Sequence, residues 1–169
     1  VVVVTGGSAG IGKATAFKLA AAGARTVVVA RDPDKLEAAR KEAAEQGLQL
    51  IIRSADVTDA EQCAALVTWL HDELGGVDIL VNNAGRSIRR GIESSYDRFH
   101  DFERTMQVNY FGSLRLTLGV LPLMTEKRHG HVINVSSIGV LTNAPRFSAY
   151  VASKAALDAW TRCAASEFL

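Results

Sequence analysis

A chain of 169 residues that is 48% hydrophobic can bury one sizeable core, and its composition fits neither a disordered nor a collagen-like class. With 19 basic and 18 acidic side chains the formal charge is +1, which supplies no field to select nucleic acid or an anionic membrane surface. A small molecule is the expected partner. No apolar run reaches the length needed to cross a bilayer, and valines 1–4 are too few for the core of a signal peptide. The chain starts with Val1 rather than Met, so targeting segments upstream stay open. Cys63 and Cys163 lack the spacing of a zinc knuckle or a disulfide framework, which suits a reducing cytosol. His100, His129 and His131 have no second ligand at a useful spacing, so no metal site is expected.

In chain order, short β-branched runs at 1–4, 26–30, 49–53, 78–81 and 131–135 predict strands, each apolar enough to be buried on both faces. Helical patterns occupy 11–22, 34–45, 60–74, 102–128 and 150–169. Strand and helix alternate, which predicts a single α/β domain: a doubly wound parallel sheet with helices on both faces. In the third helix Cys63, Leu66, Val67, Leu70 and Leu74 recur at three and four, giving one apolar stripe, and Thr58 with Glu61 reads as a capping box. Gly23, Gly47 and Gly75-Gly76 stand where left-handed helix ends are wanted. Pro122 is expected to kink or break the long fourth helix, because its ring removes a donor and crowds the preceding turn. Residues 85–101 form the one long polar connection, and such connections are often functional.

Between the first strand and first helix stands Thr5-Gly6-Gly7-Ser8-Ala9-Gly10-Ile11-Gly12. Glycines there let backbone N–H groups and a helix N-terminus approach a dinucleotide pyrophosphate, although the first gap is longer than in the commonest fingerprint. The second strand ends on Ala30, where an acid would serve ribose hydroxyls, and Arg31 follows. A guanidinium binds a 2′-phosphate that an acid would repel, so NADP is preferred over NAD. Otherwise Arg31 solvates a loop, with Asp32 beside it to neutralise it. Asp56 and Val57 end the third strand, where a carboxylate suits an adenine amino group, and Asn82-Asn83-Ala84-Gly85 closes the fourth. Both are also ordinary turn chemistry. In a doubly wound sheet both reach the carboxyl edge, where ligands bind.

The chemistry-bearing pair is Tyr150 and Lys154 in Tyr150-Val151-Ala152-Ser153-Lys154, preceded by Ser137 after an apolar run. Positions four apart share a helix face, so the ammonium can sit near the phenol and favour phenolate. A free phenol titrates near pH ~10, and a cation is what brings it toward general acid–base work at neutral pH. Such pairs also occur as plain helix surface.

Thr5 to Gly12, Asp56, Asn82 to Gly85, Asn109, Ser137, Tyr150 and Lys154 stand in an order and spacing that resembles the short-chain dehydrogenase/reductase family over essentially the whole chain. The resemblance implies a Rossmann-like fold with Tyr150 as acid/base and Lys154 lowering its pKa while binding nicotinamide ribose. Ser137 would polarise the substrate carbonyl, and Asn109 would hold a water linking Lys154 to solvent. Ser136 competes with Ser137, but strand alternation would turn it to the other face. The stretches Asn83 to Arg90, Tyr96 to Gly112 and Ser136 to Ala156 look like the bacterial fatty acyl-CoA reductases of that superfamily.

That narrower likeness implies NADPH reduction of a long-chain acyl-CoA through a hemithioacetal, which collapses to aldehyde and CoA thiolate without an acyl-cysteine. Arg86, Arg89 and Arg90 would then meet CoA phosphates, or else form a solvated basic loop. Ala9 departs from the basic residue many NADP-using members carry. Two other functions stay open: a ketone or secondary-alcohol oxidoreductase acting on a keto-lipid or 3-oxoacyl substrate, and a non-catalytic NADP-binding module. Family members pair subunits through the two helices flanking residues 128–150, so a homo-oligomer is expected. They also continue through further strands and a substrate-covering lid, so the natural protein is expected to be longer, or only this portion to have been observed.

Overall fold

The computed structural model describes residues 1–167, so the last two positions of the helix expected over 150–169 lie outside the described residues. Five parallel strands form one sheet: β1 (Val2–Thr5), β2 (Thr26–Ala30), β3 (Leu50–Ser54), β4 (Ile79–Asn82) and β5 (His131–Asn134), in the order β3-β2-β1-β4-β5. Seven α-helices connect or follow them: α1 (Gly10–Ala21), α2 (Pro33–Glu45), α3 (Ala60–Leu74), α4 (Phe99–Met106), α5 (Ser113–Lys127), α6 (Gly139–Thr142) and α7 (Ser148–Ala165).

Side-chain alternation along the central strands builds two cores. Val3, Val27, Val29 and Leu80 pack with Leu66 and Leu70 of α3 and Leu116 and Val120 of α5. Val2, Val4, Val28 and Val81 point the other way, onto Ala16 of α1 and Leu36 and Ala43 of α2. Both faces of the sheet are therefore covered, which is why β1 and β2 read as unbroken valine runs. The expectation that every strand is buried on both faces fails at the two edges. In β3, Arg53 and Ser54 are exposed, and in β5 Ile133 keeps 49% of its surface. Edge position is decided by strand order, which local composition does not carry.

The chain turns are chemically explicit. Gly23, Gly47 and Gly75 take positive φ after α1, α2 and α3. Asp59, rather than Thr58, caps α3 by accepting from the Gln62 N–H at 3.0 Å, while the Thr58 hydroxyl donates to Asp56 Oδ1. The cap thus sits one residue later than expected and is not a reciprocal box, because Thr58 is drawn into the turn that Asp56 closes and Gln62 Oε1 accepts from the Asp56 N–H rather than from that of Asp59.

The long fourth helix is not broken at Pro122, which lies inside a continuous α5. Its missing donor falls toward Leu118, on the 57%-exposed side of the helix, where water can satisfy the carbonyl. The irregularity lies earlier, in a π-helical stretch over Gln107–Gly112 between α4 and α5. Gly112 lets this stretch pack close to the loop after β3, since a Cβ there would come within 2.8 Å of the Val57 side chain. π-Turns of this kind concentrate at functional sites, and this one carries Asn109.

A buried polar chain fixes α5 and α7 to the sheet. Asn82 Nδ2 donates to Thr117 Oγ1 (2.9 Å) and to Asn134 Oδ1 (2.8 Å), and Asn134 Nδ2 donates to Thr161 Oγ1 (2.9 Å). Amide side chains on adjacent strands thereby orient the helix that holds Tyr150.

Candidate active site

The loops that build the candidate site lie just past the carboxyl ends of the strands, and α7 and the π-helical stretch bring in the remaining groups. The loops after β1 and β4 are laced together: Thr5 Oγ1 accepts from the N–H groups of Asn83 and Ala84, both at 3.0 Å, and Asn83 Nδ2 donates to the Thr5 carbonyl at 2.9 Å. Thr5 is buried and its hydroxyl is committed, so it and Asn83 build the wall of the cradle from behind. Gly6 and Gly10 take positive φ. Gly12 has another reason to be glycine, since a Cβ there would lie 2.4 Å from Asn83 Nδ2 and 2.5 Å from the Gly6 carbonyl oxygen.

The N-terminus of α1 is chemically distinct from those of its neighbours. Asp32 caps α2 and Asp59 caps α3, each carboxylate held below its ordinary range chiefly by the backbone N–H it accepts from. Helix α1 starts at Ala9 with no side-chain cap and no acid in its first turn. Its first N–H groups and the positive end of its dipole therefore face outward beside the glycines, a surface that suits a phosphate.

A cleft of about 740 Å³ runs from this cradle over the sheet edge. Gly6, Ser8, Arg31, Asp56, Val57, Ala84 and Gly85 line it, whereas Gly10, Ile11 and Gly12 form the first turn of α1 and are not among its lining residues. Arg31 spans the cleft toward Asp56, with its Nη1 3.6 Å from Oδ2. Asp32 is not its partner. That carboxylate is turned into the α2 cap and toward Lys35. Lys35 and Arg104 also line the cleft and were missed from sequence. Lys35, four residues after Arg31, carried a usable signal, whereas Arg104 is brought in only by the path of α4.

The helix α7 delivers the chemistry-bearing groups. Lys154 is buried and its ammonium donates to the Val135 carbonyl at 2.7 Å, two residues before Ser137. A Cβ built on Gly85 would lie 3.3 Å from Asn109 Oδ1 and 3.7 Å from Lys154 Nζ. One built on Gly139 would touch Ser137 Oγ and the Val151 side chain, each at 3.2 Å. Lys154, Asn109 and Gly85 therefore meet at one point, and Ser137 meets the first turn of α7 at another. Ser137 is past the end of β5, in a loop, and its Oγ accepts from the Gly139 N–H at 3.1 Å. Strand alternation thus does not separate it from Ser136. The separation comes from this turn, which leaves Ser136 exposed and Ser137 half-buried.

Asn109 is fully buried and its side chain is saturated. Oδ1 accepts from the Arg86 N–H (2.7 Å), and Nδ2 donates to the Arg86 carbonyl and to Ser153 Oγ, both at 2.9 Å. Ser153 passes the contact on by donating to the Tyr150 carbonyl at 2.7 Å. Its part in the site was hidden by its being an ordinary small residue inside the Tyr150–Lys154 spacing. Of the loop arginines, Arg86 and Arg89 are exposed, but Arg90 is bound to Asp101 and is not free for a ligand. Cys63 is buried on α3, its thiol donates to the Val57 carbonyl, and burial pushes its pKa up, all marks of a structural thiol. Among the described residues, no helix is long and apolar enough to cross a membrane.

Burial holds Lys154 below its ordinary range. The folded state then binds fewer protons than the unfolded chain between the two values, so this residue's contribution to stability rises with pH across that window, and its cost is fully present below it. Replacing it with Met removes the desolvation cost but also the donor to the Val135 carbonyl, so the melting temperature at pH 7 is expected to change little. The parent should recover relative to Lys154→Met as the pH is raised into the alkaline range. Thermal melts of both proteins across that range check this, and a large loss of stability in the variant at pH 7 would contradict it.

A family model described as short chain dehydrogenase matches residues 1–169. The chain belongs to the short-chain dehydrogenase family. It is 53% identical over 169 residues to a fatty acyl-CoA reductase of Acinetobacter baylyi, covering all of this chain and 57% of that protein. Among solved structures, a metagenomic short-chain oxidoreductase in complex with NADP is 34% identical with a TM-score of 0.91, over 99% of this chain and 74% of its own. An actinorhodin polyketide ketoreductase with NADPH is 31% identical with a TM-score of 0.93, over 99% of this chain and 64% of its own. The chain spans a little over half the length of the curated relative from Acinetobacter.

Proposed function

We propose that the protein is an NADPH-dependent reductase of long-chain fatty acyl-CoA. The observation that carries an oxidoreductase reading is the convergence of Lys154, Asn109 and Gly85 beside a glycine cradle that leaves no room for a side chain at Gly12. The cradle fits a dinucleotide: the α1 N-terminus and Ser8 would hold the pyrophosphate, Asp56 and Val57 the adenine, and Lys154 with Tyr150 the nicotinamide ribose. Arg31, with Lys35 nearby and no acid at Ala30, supports a 2′-phosphate and hence NADP. When bound, the reduced nicotinamide supplies hydride to a carbonyl carbon.

The chain's own residues then manage charge. Tyr150 gives its phenolic proton to the carbonyl oxygen, and Ser137 donates a second hydrogen bond to the same oxygen, which stabilises the negative charge that develops there. Lys154, fixed by the Val135 carbonyl, keeps a cation on the Tyr150 face of α7. Asn109, through Ser153, fixes the backbone at Tyr150. With a thioester substrate the Tyr150 phenolate takes the proton back from the hemithioacetal hydroxyl as the carbonyl re-forms and the C–S bond breaks, and CoA leaves as thiolate, a better leaving group than an alkoxide, so no enzyme cysteine is required.

Three features support acyl-CoA as the substrate: the Acinetobacter relative, the exposed Arg86 and Arg89 beside the site, and the exposed apolar side chains of Ile138 and Leu141 next to Ser137. The test is to incubate the full-length protein with NADPH and palmitoyl-CoA and to titrate free thiol. Thiol released in step with NADPH consumption is the expected result. NADPH consumption with ketones, but never with acyl-CoA, would show a ketoreductase instead.

A further inference from the structure

Asp101 is a buried carboxylate close to the site that the chemistry above leaves unused. Its side chain is 7% exposed, yet it faces three cationic or protonatable groups: Arg90 Nε at 3.1 Å and Arg98 Nε at 3.0 Å, both on Oδ2, and His100 Nε2 at 3.4 Å on Oδ1. A buried carboxylate persists only when it is paired and hydrogen-bonded. Here it is the anion between two guanidiniums on separate segments, Arg98 on the turn entering α4 and Arg90 on the loop after β4.

Arg90 makes a second tie through its backbone, its N–H donating to the Arg146 carbonyl at 2.7 Å. Arg146 sits at φ +71°, a conformation that costs a non-glycine residue energy and persists only where its surroundings enforce it. It lies four residues before Tyr150. A small cavity lined by Ile88, Arg90, Asp101, Phe102, Arg146 and Ala149 marks where the three segments meet. At its other end the same loop is pinned by Asn109, which bonds both the N–H and the carbonyl of Arg86. The loop is thus fastened at residues 86 and 90, and what it holds out to solvent between them is Arg86, Ser87 and Arg89.

We infer that Asp101 is a positioning residue which, through Arg90, locks the 86–90 loop to α4 and to the segment entering α7, so that Arg86 and Arg89 are presented to the anionic part of the substrate in fixed register with Tyr150. The assignment of that anionic part to CoA rests on the proposed function; the lock itself does not. Asp101 touches no reacting atom. Its loss leaves two guanidiniums facing each other without a counter-charge, which drives Arg90 outward and releases the Arg90–Arg146 bond.

The test uses the full-length enzyme carrying Asp101→Asn, together with Arg90→Gln, in which Asp101 still pairs with Arg98 and the fold keeps its buried carboxylate neutralised. Hydrogen exchange is followed by mass spectrometry without substrate, and kinetics are measured with palmitoyl-CoA. Both variants are expected to exchange about tenfold faster in the peptide covering 86–92, with α1 and α3 unchanged, as a local opening requires. KM for palmitoyl-CoA should rise about tenfold while kcat stays within about twofold, the mark of lost substrate positioning rather than lost chemistry. Asp101→Glu should restore much of the KM. Exchange that is unchanged at 86–92, or raised equally along the chain, overturns the inference, and so does an unaltered KM in an enzyme that uses acyl-CoA. A parent enzyme that turns over no acyl-CoA contradicts the proposed function alone, because the exchange result still decides the lock.

Discussion

Replacing Tyr150 with phenylalanine in the full-length protein is expected to lower kcat by about 10²–10⁴-fold, the range that a positioned general acid contributes. NADPH affinity should fall by no more than about tenfold, the worth of the one ribose hydrogen bond lost, and melting temperature should barely change. The Tyr150 ring packs edge-on to Phe147, with centroids 6.5 Å apart, and a phenylalanine keeps that contact. Ser137→Ala should cost about 10²–10³-fold in kcat, as removal of one donor to a developing oxyanion does. The two losses should be far from additive, because both groups serve one oxygen. Steady-state kinetics of the two single variants and the double variant check this. Undiminished turnover in Tyr150→Phe would remove the proton donor from the account.

The second large effect is expected at Gly12. Alanine there places a methyl group 2.4 Å from Asn83 Nδ2 and 2.5 Å from the Gly6 carbonyl oxygen, so the lacing between the β1 and β4 loops must open. Overpacking of this kind costs about 1–3 kcal/mol, and it falls on the surface proposed for the pyrophosphate. Gly12→Ala should therefore weaken NADPH binding by about 5- to 150-fold, the energy of that displacement converted to affinity. Gly10 is a useful contrast. It takes φ +56° but a Cβ added to it would have nothing within 4 Å, so Gly10→Ala meets only backbone strain of about 1–2 kcal/mol. Fluorescence titration with NADPH distinguishes the two, and equal losses would contradict the steric account.

Much of this architecture is readable from residues alone. The valine runs of β1 and β2 and the stripe Cys63, Leu66 and Leu70 of α3 are buried as their periodicity predicts. The order of the glycines, Asn83-Ala84-Gly85 and Tyr150 with Lys154 brings them to one sheet edge, because every βα unit in a parallel sheet delivers its loop to the same side. What stays hidden is set by contacts distant in sequence. The edge position of β3 and β5 depends on strand order. The π-turn at Asn109 depends on Arg86 and Ser153, which lie 23 and 44 residues away. Arg90 reads as a ligand-binding arginine in a basic loop, yet it is spent on Asp101, and nothing local to Asp101 announces that it is buried. Arg31 reads as a neighbour of Asp32, but the helix N-terminus takes that carboxylate and Asp56 faces the guanidinium instead.

The most direct test of the central claim is isotopic. Full-length enzyme supplied with palmitoyl-CoA and NADPH carrying deuterium at the transferable position should place one deuterium on the former thioester carbon of the product for each CoA thiol released. Thiol release with no label on that carbon, or consumption of NADPH with no thiol at all, would contradict reduction of an acyl-CoA at this site.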